Sequence, residues 1–126
     1  MERSLTVLLP VQDAQSTLAE TVMEVLEVAS DLTDRFELLI IDDASSDATA
    51  EVVHELTRHF PQIRMIRHVV SLGRDAALRT GMAHCHGEVV LVREGKPPTL
   101  QRLHRASKPL RPNYLSHRTR RVARDE

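Results

Sequence analysis

Aromatic residues are nearly missing from this chain of 126 residues, which has two Phe, one Tyr and no Trp. Proteins that bind single-stranded nucleic acid without sequence preference stack the bases on aromatic side chains, so the composition argues against that function. Cysteine is equally scarce, since Cys85 is the only one. An intramolecular disulfide is therefore excluded, which fits a reducing compartment.

Long apolar runs are also absent. No stretch approaches the roughly 20 residues that a membrane-spanning helix needs. The apolar run near the N-terminus is too short for a secretion signal. We therefore expect a cytoplasmic protein without a transmembrane segment. The length suits one domain with a real core, and 41% hydrophobic with 28% charged residues is ordinary for a soluble globular protein.

The formal net charge of −1 conceals an uneven distribution of charge along the chain. Residues 1–92 carry seven Lys or Arg against 15 Asp or Glu, whereas residues 93–126 carry ten against three. This asymmetry predicts an acidic folded domain over residues 1–96 and a basic, Pro-containing tail over residues 97–126, where one short helix could follow the first two prolines. The tail could contact the phosphates of RNA or an anionic membrane, remain a solvated terminus, or cover an exposed sheet edge.

Hydrophobic periodicity predicts alternating strands and helices. Short apolar runs bounded by turn residues indicate four strands, of which the third is the least apolar and is expected near an edge. The predicted strands cover residues 5–9, 36–41, 63–69 and 88–92, and the predicted helices begin at a capping box of Thr17 and Glu20, at Ser46 or Asp47, and after Gly73. This order predicts right-handed parallel crossovers and a three-layer α/β/α sandwich with a mostly parallel sheet.

The most informative segment is residues 36–53, FELLIIDDASSDATAEVV. Its apolar run ends in Asp42 and Asp43, so both carboxylates follow a buried parallel strand, at the end where open α/β sheets bind their ligands. A structural role is the alternative, in which the acids shape the turn and compensate the charge of the next helix N-terminus. A receiver domain is disfavoured, because the third predicted strand supplies no phospho-acceptor Asp at its end.

Two groups of histidines suggest metal binding only weakly. His54 and His59 resemble a zinc-protease helix motif, but that motif needs its histidines four residues apart and not five. The run His84-Cys85-His86 lacks the four ligands of a closed zinc site. The favoured interpretation of this run is a partly buried Cys between exposed histidines.

Three segments together resemble the N-terminal half of a family 2 glycosyltransferase of the dolichyl-phosphate-mannose-synthase-like kind. They are LTVLLPVQDAQSTLAETV, FELLIIDDASSDATAEVV and IRMIRHVVSLGRDAALRTGMAHCHGEVVLV, within residues 4–96. The D-D-x-S-x-D-x-T element and the later G-x-x-x-A-x-x-x-G spacing make the resemblance specific. It implies a truncated GT-A fold, which is Rossmann-like, and a pocket for a nucleotide-diphosphosugar of the UDP or GDP type.

The resemblance also implies roles for individual residues. Pro10 and Val11 would flank the base, with Val11 offering backbone groups. Asp43 would accept a hydrogen bond from the base N3–H, with Asp42 close beside it, because a carboxylate at a strand end can accept two hydrogen bonds from base or ribose. Arg74 would approach the nucleotide or its diphosphate.

The sequence departs from the family pattern where a D-x-D motif would hold Mg²⁺ or Mn²⁺ against the diphosphate. The corresponding positions are Glu94, Gly95 and Lys96. Glu94 could bind a metal weakly, but a charged Lys96 cannot be a ligand and repels the ion. Lys96 could instead neutralise the diphosphate directly.

Further departures concern the base and the acceptor. Gln12 and Asp13 replace an aromatic residue and an Asn, and Arg79 replaces a common Asn. No candidate is present for the general base that the family's acceptor-binding half supplies, so no catalytic residue is assigned. We expect a degenerate glycosyltransferase-like protein that binds a nucleotide sugar and is inactive alone. The alternative is a non-catalytic scaffold that uses its basic tail or an exposed sheet edge to bind a partner protein or to form a homodimer.

Overall fold

The computed structural model describes residues 3–94 and 99–103. Its elements follow the predicted order, with one more strand after the fourth. In chain order they are β1 (Leu5–Val11), α1 (Leu18–Leu32), β2 (Phe36–Asp42), α2 (Thr49–His59), β3 (Ile63–Arg67), α3 (Arg74–His84), β4 (Val89–Glu94) and β5 (Thr99–Leu103).

The five strands form one sheet in the order β3-β2-β1-β4-β5. The first four pair in parallel, and β5 runs antiparallel to β4. The predictions of a mostly parallel sheet and of an edge position for the third strand are confirmed. Among the described helices, none has the length and apolar character needed to cross a membrane.

The central strands β1 and β2 are buried on both faces. Val7 and Leu38 pack with α1 and α2 on one face, whereas Leu8 and Leu39 pack with α3 on the other. Gly81 lets α3 approach the sheet closely, since a Cβ built there would lie 2.8 Å from Leu8 Cδ2. Helices on both faces explain why these strands are continuous apolar runs and do not alternate with polar residues.

Two helix starts differ from the prediction. Thr17 precedes α1, but its side chain makes no capping hydrogen bond, since its backbone already has near-helical angles (φ −118°, ψ −8°). The predicted capping box is therefore wrong. The second helix begins at Thr49 and not directly after Ser46 or Asp47, although Asp47 Oδ1 still accepts a hydrogen bond from the Thr49 N–H at 2.8 Å.

β1 continues through Pro10 to Val11, beyond its predicted end. β4 pairs with β1 only from Leu5 to Leu8, so at Pro10 the strand has no neighbour on that side. A proline, which has no N–H to donate, is tolerated at such an unpaired position.

The chain after Val92 departs most from the prediction. β4 continues to Glu94, and Thr99–Leu103 is a strand where the basic tail was expected to form a short helix. The free edge of β4 explains the difference, because its unpaired backbone groups favour an added strand over an isolated helical turn. This pairing carries the sheet past residue 96, the predicted end of the folded domain.

Candidate functional site

A cleft opens where β1 and β4 separate. The two strands pair only as far as Leu8 and Val92, and the chain leaves β1 toward β2 on one side while β4 lies on the other. This is the topological switch point of the sheet, where open α/β sheets bind ligands beyond the carboxyl ends of their strands. The cleft has a volume of about 320 Å³ and is lined by Pro10, Val11, Gln12, Asp43, Gly73, Arg74, Ala77 and Arg93.

Four residues predicted to bind a nucleotide line this cleft, namely Pro10, Val11, Asp43 and Arg74. They come from the end of β1, the end of β2 and the start of α3, so the fold brings together residues that are far apart in sequence. Asp42, the fifth predicted residue, is fully buried and does not line the cleft.

The predicted diphosphate or metal region is only partly described. Glu94 is the last residue of β4, which places its backbone one residue beyond the cleft residue Arg93. The side chain of Glu94 and all of Lys96 lie outside the described residues. Their predicted roles stay predictions.

The Asp43 carboxylate holds the loop between β3 and α3. Its Oδ1 accepts hydrogen bonds from the Leu72 N–H and from His68 Nδ1, both at 2.8 Å. Its Oδ2 accepts from the Gly73 N–H at 2.9 Å and from the Ser71 hydroxyl at 3.0 Å. Each oxygen thus has two donors, which is the full capacity of a carboxylate.

These contacts make the stability of the protein depend on acid pH. Burial alone raises the pKa of Asp43, but the hydrogen bonds from His68 and from the loop lower it by more, so the pKa lies below its ordinary value of 3.8. A lowered pKa contributes stability that is fully present above the ordinary value and is lost as the pH falls through the lowered one. We expect urea unfolding to show a decline in the free energy of unfolding between about pH 5 and pH 2 that is smaller in Asp43→Asn. Equal declines in both proteins would contradict this assignment.

His68 extends the Asp43 contacts into α3. An ionised carboxylate only accepts, so the proton lies on Nδ1, and in the neutral ring Nε2 accepts the Thr80 hydroxyl at 2.8 Å. An acid–histidine–hydroxyl chain can activate a nucleophile in acyl transfer. Among the described residues, however, Thr80 does not line the cleft. This chain of contacts therefore positions the loop against α3.

Three residues in or beside the loops at the cleft have a positive φ, and the first of them is Asp13 at 51°. Gly73 has φ 98° directly before α3, a region that glycine enters without a steric penalty. Ala44 has φ 61° directly after the acid pair, which costs a residue with a Cβ about 1 kcal/mol or more. Such local strain is concentrated at ligand sites in many proteins.

Asp42 closes the turn after β2. Its Oδ1 accepts hydrogen bonds from the Ser45 N–H at 3.0 Å and the Ser45 hydroxyl at 2.5 Å. Its Oδ2 makes no hydrogen bond within the described chain and lies 3.4 Å from Arg67 Nε. The Arg67 guanidinium also donates to the Ser45 carbonyl at 2.8 Å. These contacts correspond to the structural alternative, in which the acid shapes the turn.

The loops after β1 and β2 bind each other through two residues that depart from the family pattern. Gln12 Nε2 donates to the Asp43 carbonyl at 3.0 Å. Asp13 Oδ1 accepts from the N–H groups of Ser46 and Asp47 at 2.7 and 3.3 Å, just before α2. Asp13 thereby satisfies backbone donors near a helix N-terminus. Gln12 and Asp13 therefore join the loop after β1 to the loop after β2, and these contacts do not depend on a bound base.

Arg93 is a cleft residue that the sequence reasoning missed. Its side chain is 10% exposed, and Nη2 donates to Glu24 Oε1 on α1 at 3.0 Å. It directly follows Val92, the last β4 residue paired with β1, so its register places it at the strand separation. Arg74 and Arg93 are the two arginines among the described cleft residues, and guanidinium groups bind phosphate in a bidentate manner.

Among the histidines considered as metal ligands, His59 and His84 have other contacts. His59 Nε2 lies 3.2 Å from Glu55, and His84 Nδ1 donates to the Thr80 carbonyl at 2.9 Å. Cys85 is buried. Within the part of the chain that the structure describes, no three His, Cys, Asp or Glu side chains are grouped so that they could hold a metal ion.

Comparison with known proteins assigns the family. The model described as "Glycosyl transferase family 2" matches residues 6–93. Over 57 residues the chain is 37% identical to dolichyl-phosphate beta-glucosyltransferase ALG5A of Trichomonas vaginalis, covering 45% of this chain and 18% of that protein. Over 93 residues it is 29% identical to an undecaprenyl-phosphate 4-deoxy-4-formamido-L-arabinose transferase of Salmonella choleraesuis, covering 71% and 28%.

Solved structures of GT-A glycosyltransferases share the fold. Mannosyltransferase PcManGT from Pyrobaculum calidifontis, solved with GDP-Man and Mn²⁺, superposes with a TM-score of 0.67 at 24% identity over 74% of this chain and 27% of that one. S. aureus TarS 1–349, solved with UDP-GlcNAc, gives 0.61 at 20% identity over 71% and 26%. The chain spans between 18% and 28% of the length of these four proteins. Because the family match covers more than half of it, this chain belongs to glycosyl transferase family 2.

Proposed function

We propose that the cleft binds the nucleotide diphosphate of a UDP- or GDP-linked sugar. The observation that carries this proposal is the convergence of two arginines and the Asp43-bound loop at the switch point of the sheet. Similar proteins solved with GDP-Man and with UDP-GlcNAc support the ligand class. Pro10 and Val11, which line the cleft at the end of β1, would flank the base.

Asp43 acts on the nucleotide through the loop. Four donors from the protein already occupy its carboxylate, so direct acceptance of a base N3–H would require one of them to leave. The carboxylate instead fixes Gly73 and, next to it, Arg74 at the start of α3. The role of Asp43 is therefore to position the part of the site that meets the diphosphate.

The diphosphate is recognised by positive charge. Arg74 is the first residue of α3, a helix of 11 residues, and anions are favoured at helix N-termini. Arg93 approaches the same cleft from β4. Their guanidinium groups supply planar donor pairs that match phosphate oxygens.

Removal of either arginine tests this assignment. Arg74→Gln and Arg93→Gln are each expected to weaken UDP or GDP binding about tenfold, the loss of one charge-assisted hydrogen bond of about 1.4 kcal/mol. Binding of uridine or guanosine, which lack phosphates, should not change. Arg79→Gln is the matched control, because Arg79 is exposed on α3 and does not line the cleft. Calorimetric titration gives the affinities, and an equal loss in the control would contradict the assignment.

The family's metal does not fit the residues present. At the D-x-D positions this chain has Glu94, Gly95 and Lys96, so the donor set is one carboxylate beside a cation. Mg²⁺ and Mn²⁺ prefer carboxylate and other oxygen ligands, and a nearby ammonium group repels them. We therefore propose that Lys96 and the two arginines neutralise the diphosphate, with Glu94 at most a weak metal ligand.

Restoring an acid at position 96 is expected to create metal dependence. In Lys96→Asp, Mn²⁺ should strengthen nucleotide binding about tenfold relative to EDTA, equivalent to about 1.4 kcal/mol, whereas the unmodified chain should bind equally in both. Lys108→Asp makes the same charge change elsewhere in the basic tail and should leave binding metal-independent. Metal-dependent binding by the unmodified chain would overturn the proposed mismatch.

We also propose that the chain does not transfer the sugar unaided. Inverting transfer needs a general base for the attacking hydroxyl and stabilisation of the leaving diphosphate. The cleft arginines could stabilise the leaving diphosphate. The only carboxylate among the described lining residues is Asp43, and its oxygens already accept four hydrogen bonds, so it does not serve as the general base. A base would have to come from another segment or another protein.

A second candidate function is a scaffold that binds a partner protein. The loop after β3, an edge strand, exposes three apolar residues, of which Val69 is 95% exposed and Val70 and Leu72 are 58% exposed. Exposed apolar clusters of this kind mark interaction sites. Absence of nucleotide binding combined with self-association through this loop would favour the scaffold.

A further inference from the structure

A second concave surface lies on the α1 and α2 side of the sheet, away from the cleft. It has a volume of about 560 Å³, larger than the cleft, and is lined by Glu20, Met23, Glu24, Leu26, Glu27, Ser30, Phe36, Phe60 and Gln62. We call this surface the α1 groove. Its apolar part includes both phenylalanines of the protein, and Met23 within it is 49% exposed.

The rim of the α1 groove is acidic. Glu20, Glu24 and Glu27 lie along it, and α1 carries no Lys or Arg at all in its sequence LAETVMEVLEVASDL. Only Glu24 has an ion-pair partner among the described residues of this rim, namely Arg93 at 3.0 Å. An apolar floor beside uncompensated carboxylates suits a ligand with apolar side chains between positive charges.

Residues 104–126 of the same chain have this chemistry. They carry seven Lys or Arg against two Asp or Glu. Within RPNYLSHR, Tyr114 and Leu115 lie between Arg111 and Arg118. We propose that this segment docks in the α1 groove of its own chain, with its apolar residues on the groove floor and its cations against the glutamates.

The sheet register places the start of that segment close to the groove. Leu103, the last residue of β5, pairs with Val90, which pairs with Thr6, which pairs with Glu37. Leu103 therefore lies three strand spacings, roughly 14 Å, from the level of the groove residue Phe36. The 23 residues that follow can span up to roughly 75 Å when extended, so the groove is well within their reach.

Docking within one chain makes the local concentration of the segment high at every protein concentration. A modest intrinsic affinity of the segment for the α1 groove is therefore enough for docking, because both belong to the same chain. Salt should weaken the interaction, since exposed charge pairs are screened. The groove and the cleft are linked by the pair of Glu24 and Arg93 at 3.0 Å, so the test below changes Glu20 and Glu27 and leaves that pair intact.

A spin label on the tail of the full chain tests the proposal. Ser116→Cys supplies a labelling site, and the only native cysteine, Cys85, is buried at 3% exposure and is expected to remain unlabelled. NMR should show loss of the amide signals of Met23, Glu27 and Ser30 in the oxidised label and their recovery after reduction. The double variant Glu20→Lys, Glu27→Lys should abolish this signal loss.

The matched control carries the same charge change on α2. Glu51 and Glu55 are exposed and do not line the groove, so Glu51→Lys, Glu55→Lys should retain the signal loss. Uniform broadening of amide signals over the whole surface would overturn the proposal. It would also be overturned if the signal loss at the α1 groove disappeared in both double variants. Broadening that appears when isotope-labelled chains without spin label are mixed with spin-labelled chains would also overturn it, because the occupant would then be the tail of a second copy.

Discussion

Replacing Asp43 with Asn is expected to lower the free energy of unfolding by about 1–3 kcal/mol, because partly buried donors lose a charged acceptor. The side-chain amide places an NH₂ group where one carboxylate oxygen now accepts two hydrogen bonds. Depending on its orientation, this NH₂ group faces the Leu72 N–H or the Gly73 N–H. One of these partly buried backbone N–H groups then faces a second donor and loses its acceptor in the protein.

The same substitution should abolish measurable nucleotide binding at ligand concentrations that saturate the unmodified chain. The loop that Asp43 holds leads directly into Arg74, so disorder there removes a proposed diphosphate contact. Urea unfolding and calorimetric titration measure the two effects. Asp31→Asn, an exposed carboxylate near the end of α1, is the control and should change stability by no more than about 0.5 kcal/mol. Equal stability of the two variants would contradict the proposed role of Asp43.

Replacing Gly87 with Ala is expected to cost about 3 kcal/mol or more, or to prevent folding, because the backbone leaves no room for a methyl group. An alanine Cβ would overlap the Thr6 backbone nitrogen and lie 2.6 Å from the Leu5 carbonyl carbon. The Gly87 N–H also donates to Thr6 Oγ1 at 2.8 Å. Relief requires movement of β1, whose other end forms one wall of the cleft.

Gly81→Ala is the informative comparison for this prediction. Its Cβ would meet the methyl ends of Leu8 and Ile41, at 2.8 and 3.0 Å, and side-chain ends can shift more readily than a strand backbone. Alanine also favours a helix over glycine by up to about 1 kcal/mol, which offsets part of the strain. We expect a net loss below about 1.5 kcal/mol by urea unfolding. A larger loss for Gly81→Ala than for Gly87→Ala would show that the backbone contact is not limiting.

The strands and helices that follow from the pattern of neighbouring residues could be predicted from the sequence. Apolar runs and helical spacing indicated the strand and helix order, and the carboxyl end of β2 indicated where the acids lie. Among the cleft residues, Pro10, Val11, Asp43 and Arg74 were identified by resemblance, because the family motifs include their neighbours.

The residues that were missed depend on contacts between distant segments. Arg93 lines the cleft because β4 pairs with β1 on the side opposite β2, an arrangement that its own neighbours in sequence do not encode. His68 reaches Asp43 across 25 residues of sequence and Thr80 across 12. The strand Thr99–Leu103 likewise depends on the free edge of β4, so local pattern favoured a helix there.

Asp42 and Asp43 show the same distinction within two adjacent residues. The motif predicted that both acids lie near a nucleotide, since each follows the same strand. Alternation of side-chain direction at the strand end sends Asp42 into the turn with Ser45 and Arg67, and Asp43 to the loop at the cleft. The pairing of β2 with β3, which places Arg67 opposite Asp42, decides the outcome.

Nucleotide binding is the central claim, and calorimetric titration of the purified full chain with UDP, GDP and their sugar conjugates tests it most directly. Each titration is made once with Mn²⁺ and once with EDTA. We predict that at least one nucleotide binds with the same affinity in both conditions. The absence of binding heat for every nucleotide at millimolar concentration would contradict the claim and leave the scaffold as the function of this chain.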